Sequence, residues 1–444
     1  MPENKILDYE SFKRVFPKKL YKRLISNIVP YGKIKDKNDI LLELHTEINN
    51  YTYSPSICHE YLVFNKQNGI IRISPIFSIK DSFLYYFCIK MIEDEIAENR
   101  VEGTYGGWRL GNKIRFMEDN DKFVLSDYAP SGSYNPFLWS ENWKDFQEKA
   151  HLSSKTGNYR YILKVDIANF YHTISLHLLE KKLYLSVPKE KVFYVELLMH
   201  FLRNWNKKME GFSANYFGLP EESTLDCSRL LANFYLQDYD FYMKDLCDKL
   251  NAKFLRYTDD QIIFAPNKKS ADKIIFEASK FLSKIGLNFN SNKAKAFTSM
   301  DEFETYWAFE IFILLDNLSD TDNINKAIEI FLDLVERGID FKKDSVLKRI
   351  LNLNFELIKE ENLKKLMPLI YNKDFLSMAD AWRLDRVYTN LDDNGKKEFL
   401  IILDELVDSI LYNSYHYNLV NFYKLNNIKF DETRIKRKVE ELRI

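Results

Sequence analysis

Cysteine is scarce in this chain. Cys58, Cys88, Cys227 and Cys247 are the only four in 444 residues, and they lie far apart in sequence. No metal-finger spacing exists among them, and a reduced, cytoplasmic setting is the simplest expectation. Net charge is nearly absent, at −1 from 64 Lys and Arg against 65 Asp and Glu. A protein that grips a long nucleic-acid duplex normally carries an excess of Lys and Arg, so a nucleic-acid footprint here is expected to be short or transient. No apolar run approaches membrane-spanning length, and the start Met1-Pro2-Glu3-Asn4-Lys5 is polar, so neither a membrane nor a secretory segment is expected. No exact internal repeat and no ordered set of nuclease acids is found.

What is present is an ample core-forming content, 46% hydrophobic, over a length that predicts two or three domains. Charge gathers locally at Lys18-Lys19 with Lys22-Arg23, and at Arg434 with Lys436-Arg437-Lys438. Either cluster reads as a solvated helix face or as a phosphate contact.

The most informative segment is Phe254-Leu255-Arg256-Tyr257-Thr258-Asp259-Asp260-Gln261-Ile262-Ile263-Phe264-Ala265. Its flanks read as two short strands, with the paired acids at the turn between them. Adjacent carboxylates repel unless a cation lies between them, and oxygen-only ligands suit magnesium. A surface hairpin with two solvated acids would carry the same letters. A two-metal site needs acids from more than one strand. The β-prone run Tyr161-Ile162-Leu163-Lys164-Val165 ends on Asp166 and supplies one, followed by Phe170-Tyr171 and by Ser175 as a helix cap. Between the two acid segments, Gly218-Leu219-Pro220 predicts a turn, and Leu231, Phe234 and Tyr235 share one face of a following helix.

These segments, in this order, resemble the reverse transcriptases. Tyr257-Thr258-Asp259-Asp260 is similar to their third catalytic motif, and Asp166 with the aromatics Phe170 and Tyr171 to the first. Leu231-Ala232-Asn233-Phe234-Tyr235-Leu236 matches the helix of the second core motif letter for letter. Upstream, Arg72, Pro75 and Asp81, then Tyr105-Gly106-Gly107-Trp108-Arg109-Leu110-Gly111 with Asn112, are similar to the fingers of such polymerases. Downstream, Gly286-Leu287-Asn288-Phe289 through Lys293 looks like the fourth palm motif. The segment Glu304–Glu310 is expected as the strand that grips the primer. One loop departs from the family pattern. Glu221 and Glu222 stand where a Gln and a Gly are usual, and Ser228-Arg229 replaces Ser-Pro. Ser-Arg resembles the bacterial abortive-infection and defence-associated branch.

The resemblance implies an α+β fold: right-hand polymerase fingers and palm, with an antiparallel palm sheet and flanking helices. An all-α, helical-repeat-like C-terminal domain follows. The expected divisions are 1–150 (N-terminal region and fingers), 151–315 (palm) and 316–444 (helices). Apolar residues at helical spacing over 324–335 and 397–407 support the last. The activity implied is dNTP transfer on two Mg2+ ions. Asp166, Asp259, Asp260 and Lys293 are the expected catalytic residues, and Asp166, Ile167, Asp259 and Asp260 the metal set. Arg72, Arg109, Tyr171, Gly218 and Ser228 are the expected nucleotide contacts, Tyr171 selecting the deoxy sugar. Expected partners are deoxynucleoside triphosphates and a DNA product, in one version attached to a Tyr of the chain itself. A non-coding RNA, a second polymerase subunit and a homo-oligomer are further expectations, in an anti-phage defence role. The alternatives are an RNA-templated retroelement enzyme and a non-catalytic polymerase-like scaffold.

Overall fold

The computed structural model describes residues 7–66, 70–97, 99–107, 109–110, 113–116, 123–126, 139–206, 218–316 and 319–443. Trp108, Gly111 and Asn112 of the fingers-like segment lie outside them. The chain divides into two compact units, one of residues 1–60 with 75–299 and one of 61–74 with 300–444. The sequence-based divisions fall instead after 150 and after 315. The stretch 61–74 is most of a hairpin, β1 (Glu60–Asn65) and β2 (Ile71–Ile76).

The first unit opens with α1 (Tyr9–Arg14), α2 (Lys18–Ile25) and α3 (Lys37–Asn49). Asp8 and Asp36 start α1 and α3 by accepting from the Ser11 and Asn38 N–H groups at 3.0 and 2.7 Å. Phe12 and Phe16 pack on Phe87 and Phe83 of α4 (Ile79–Ala97), with ring centres 4.8 and 5.0 Å apart. Nearly every α4 side chain is buried, as its apolar composition requires.

Strand β3 (Thr104–Tyr105) follows, then the antiparallel pair β4 (Lys113–Phe116) and β5 (Phe123–Ser126). Helix α5 (Trp139–Thr156) leads to β6 (Tyr161–Val165), and α6 (Phe170–Thr173), α7 (Leu176–Ser186) and α8 (Val192–Asn204) come next. Ser175 caps α7 as expected, accepting from Leu178 N–H at 3.3 Å. The unit continues with α9 (Cys227–Tyr235), α10 (Gln237–Lys249), β7 (Lys253–Tyr257), β8 (Asp260–Ala265), α11 (Lys268–Lys284) and β9 (Lys295–Phe297). The main sheet has the order β3-β7-β8-β6-β9. Only the β3–β7 pair is parallel. Helices α10 and α11 pack against it, so β8 is buried along its apolar run from Gln261 to Ala265.

In the second unit, ten helices are present among the described residues: α12 (Met300–Trp307), α13 (Phe309–Leu314), α14 (Thr321–Glu336), α15 (Lys343–Ile350), α16 (Glu360–Ile370), α17 (Lys373–Ser377), α18 (Ala381–Asn390), α19 (Asp393–Ser409), α20 (Asn413–Leu425) and α21 (Glu432–Glu441). Two of them, α14 and α19, cover the two periodic runs read from the sequence. One expectation is overturned: Glu304–Glu310 is no strand but the end of α12 and the start of α13. Phe303 and Trp307, four residues apart, are both fully buried, which is a helical repeat despite the β-prone letters between them. Asn413 at the start of α20 ties the hairpin to the helices. Its amide donates to the Tyr61 carbonyl at 2.9 Å and accepts from Val63 N–H at 2.7 Å. No described helix is long and apolar enough to cross a membrane.

Candidate active site

The register of the sheet brings the acids together. Val165 of β6 pairs with Gln261 of β8, so Asp166, one step on, stands opposite Asp260. Tyr257 pairs with Asp260 across the two-residue turn Thr258–Asp259. Thr258 is left-handed there (φ +53°), a costly state for a β-branched residue. Its hydroxyl donates to Asp259 Oδ1 at 2.8 Å.

Each outer carboxylate has a lysine. Lys293 Nζ lies 2.9 Å from Asp166 Oδ2, and Lys164 Nζ lies 3.0 Å from Asp260 Oδ1. Asp259 has none among the described residues. Burial, then the charges of Asp260 and Asp166, push its carboxyl up to about 7. Lys293 reaches Asp166 because the chain beyond α11 extends β6. Asn290 N–H donates to the Asp166 carbonyl at 2.7 Å, and Ala168 N–H to the Asn288 carbonyl at 2.9 Å. Those two bonds flank the bridge of Ile167 with Phe289. In that antiparallel pattern the C=O of Ile167 itself turns to the opposite edge, the side on which β8 runs.

Among the described residues no group of three or more His, Cys, Asp or Glu is arranged as it stands to hold a metal ion. The donor chemistry nevertheless fits a divalent cation. The three acids offer oxygen donors only, and Asp260 and Asp166 lie near enough to add to the effect of burial on Asp259.

Beside the acids, Tyr171 on α6 lies close enough to the Arg229 guanidinium and to Asp259 to feel both charges. Burial pushes that phenol well above its ordinary range. Gly218 packs directly on the Tyr171–His172 backbone: a Cβ would overlap the Tyr171 carbonyl oxygen, to which Leu219 N–H donates at 2.8 Å. Ser228 is buried and shares a hydrogen bond of 2.9 Å with the Tyr85 hydroxyl. The unusual Glu222 acts on its own loop. Its carboxylate accepts from the N–H groups of Thr224, Leu225 and Ser228 at 2.9, 2.7 and 3.4 Å. Burial, with Asp226 beside it, raises its affinity for a proton.

Arg229 is a residue that sequence reasoning noted only as a departure. Its guanidinium pairs with Asp226 at 2.8 Å, and its side chain runs across Gly107. A Cβ on Gly107 (φ +77°) would come 2.8 Å from Arg229 Cδ. Another residue missed altogether is Arg256, fully buried on β7. It grips both Asp240 carboxylate oxygens at 2.7 and 2.5 Å, the Asn233 side-chain oxygen at 2.8 Å and the Thr258 carbonyl at 2.8 Å. Asn233 in turn donates to the Gly106 carbonyl and, at 2.9 Å, to that of Gly107. The signal was available: an arginine inside an apolar strand requires a buried partner.

The two expected fingers arginines are placed otherwise than the acids. Arg109 is buried and pairs with Asp94 at 2.5 Å and with Glu93 at 3.8 Å, so its charge is directed into α4. Arg72 is exposed on β2 and belongs to the second unit. Thus Asp166, Ile167, Asp259, Asp260, Lys293, Tyr171, Gly218 and Ser228 gather in the first unit, while Arg72 is not among them.

No curated protein matches the chain. Among solved structures it is similar to an apo telomerase from Candida tropicalis truncated from its C-terminal domain, at 12% identity and a TM-score of 0.34. That similarity covers 59% of this chain and 55% of the other, so the chain spans about half the length of the structure it matches. A family model described as reverse transcriptase (RNA-dependent DNA polymerase) matches residues 113–317, which hold all three acids, Lys293 and the Gly218 loop. Over residues 113–317 the chain is therefore similar to the reverse transcriptase family, whose enzymatic class is the RNA-directed DNA polymerase, a nucleotidyltransferase.

Proposed function

We propose that this chain joins deoxynucleoside triphosphates into DNA on Mg2+, at the site formed by Asp166, Asp259 and Asp260. The observation that carries the reading is the proximity of these three carboxylates inside the segment matched as a reverse transcriptase, with Asp259 lifted to about 7 by burial and by the charges of Asp260 and Asp166. Asp166, Asp259, Asp260 and the carbonyl of Ile167 would hold the ions. When bound, such ions neutralise charge on the attacking hydroxyl and on the leaving pyrophosphate.

The chain's own groups complete the site. Lys293, half exposed beside Asp166, stands ready to give a proton to the leaving phosphate oxygen. The Tyr171 ring excludes a 2′-hydroxyl, and Arg229 fixes its orientation from the phenol end. Gly218 sets the height of the loop under the new base pair by lying against Tyr171. Replacing Asp259 with Ala tests the assignment: incorporation should vanish in a protein that still folds, and undiminished incorporation would reject it.

The mode of synthesis we propose is that of the abortive-infection polymerases: untemplated, primed by a tyrosine of the chain, and serving anti-phage defence in the cytoplasm. It is supported by Glu221-Glu222 and Ser228-Arg229 in the loop, by the near-neutral charge and by the helical second unit. Purified protein carrying covalently attached DNA and no RNA is the expected result. A defined co-purifying RNA would instead favour the templated reading.

A further inference from the structure

The two basic clusters read from the sequence meet opposite fates. At the C-terminus the charges are neutralised locally. Arg434 binds Asp404 and Asp408 at 3.0 and 2.6 Å, Lys436 binds Glu432 at 3.0 Å, and Lys438 binds Glu441 at 2.9 Å. In the N-terminal segment the balance of charge in the sequence is different. From Lys13 to Lys37 the chain holds nine Lys and Arg and one acid, Asp36, whose carboxylate is engaged in capping α3. Lys35 pairs with Glu43, but no ion pair forms at Lys13, Arg14, Lys18 or Lys22 among the described residues.

These charges sit on a rigid base. Phe12, Val15, Phe16, Leu20 and Leu24 are buried, which fixes α1 and α2 with Arg14, Lys18, Lys19 and Lys22 outward. Lys18 and Lys22, one turn apart, form a row about 5–6 Å between Cβ atoms. Lys37 Nζ donates to the Phe16 carbonyl at 3.0 Å, and Lys13 and Lys18 lie near enough to disfavour its charge. The basic surface reaches the loop of the candidate site. Arg23 donates to the Ser223 carbonyl and Asn27 to the Thr224 hydroxyl, each at 3.3 Å.

We infer that the face formed by Lys13, Arg14, Lys18 and Lys22 on α1 and α2 is a docking surface for the phosphate backbone of a single-stranded polynucleotide. Four like charges that form no ion pair among the described residues, in a chain of net charge −1, ask for a polyanion, and Glu10 is the one acid on α1. The choice of a polynucleotide rests on the polymerase reading, and on the contact of this face with the loop at Ser223–Thr224. Recognition is by phosphate and is independent of base sequence.

The test is fluorescence anisotropy on the full chain carrying Asp259→Asn, with labelled oligothymidylate and a labelled RNA of equal length, across about 50 to 200 mM salt. The triple variant Lys13→Glu, Lys18→Glu, Lys22→Glu should bind at least tenfold more weakly. The slope of log affinity against log salt should fall in magnitude by about 2, since each phosphate contact contributes about 0.7 for a single strand. The Gln triple variant, which adds no repulsion, should lose less. Equal affinity and equal salt slope in a triple variant with unchanged circular dichroism and melting would overturn the inference, as would absence of oligonucleotide binding by the parent. Because binding is read without turnover, a failure of the catalytic assignment would appear separately, as missing incorporation by the chain with Asp259 intact.

Discussion

Gly218 lies against the Tyr171 carbonyl so closely that no side chain fits between them. One contact therefore couples the loop leading to α9 with the aromatic that follows the first acid. Gly218→Ala must lift the loop or tilt α6. Displacements of this size cost roughly a hundredfold in rate when they fall on positioning elements. The expected outcome is a loss of that order in kcat for dNTP incorporation, with the melting temperature changed far less than by a core truncation. Steady-state kinetics beside thermal melting would check it.

The raised Asp259 predicts a pH dependence with a definite sign. Its ordinary value is 3.8 and its folded value is about 7. Between those two values the folded chain keeps a proton that the unfolded chain has released. This carboxyl therefore takes stability away as pH rises through that window. Above about 7 the loss is complete. In chelator, the parent should lose melting temperature relative to Asp259→Asn as pH is raised from about 4 to about 7. Added Mg2+ should close the gap at neutral pH. Parallel melting curves for the two proteins across the range would sink the idea.

Much of this site was legible because its parts are local. A strand ending on Asp166, a hairpin turn at Thr258–Asp259 and a glycine-containing turn at Gly218 are each decided by a few neighbouring letters. What stayed hidden depends on contacts distant in sequence or on side-chain direction. Asn413 holds β1 from some 350 residues away. Arg109 has the composition of a phosphate ligand but meets Asp94 instead. Glu304–Glu310 carries aromatics that favour strands, yet the burial of Phe303 and Trp307 one helical turn apart prevails. Glu222 read from the sequence as a departure from the family loop, and its three backbone N–H partners are visible only in three dimensions.

Arg256 makes the catalytic turn depend on a buried ion pair. Asp240→Ala would leave the guanidinium uncompensated in the core, a change that costs about 3–5 kcal/mol. The expected result is a large fall in denaturant midpoint. Asp240→Asn keeps hydrogen-bond acceptance and should lose less. If Asp240→Ala melts like the parent, the network is not what braces the turn. Arg256→Met, which removes the charge with comparable bulk, separates the two costs. It should be tolerated better in the Asp240→Leu background than alone, because a paired apolar replacement leaves no orphaned ion.

Arg229 is the residue that most distinguishes this loop, and its role can be separated from that of the acids. It pairs with Asp226, lies beside the Tyr171 phenol and packs across the Gly107 turn, so its expected effect on a nucleotide runs through the Tyr171 ring. Arg229→Ala removes the positive charge beside the Tyr171 phenol and the side chain packed across Gly107, and frees the ring to tilt. Discrimination against ribonucleotides should weaken, with KM for dNTP rising more than kcat falls. Tyr171→Phe, which removes the hydroxyl and keeps the ring, should show part of the same effect. Adding Arg229→Ala to it should cost little more, because the two groups are neighbours acting on the same ring. Additive losses in selectivity from the two changes would show that Arg229 works independently of Tyr171. Arg229→Lys offers a single point charge in place of the planar fork and should restore affinity without fully restoring selectivity.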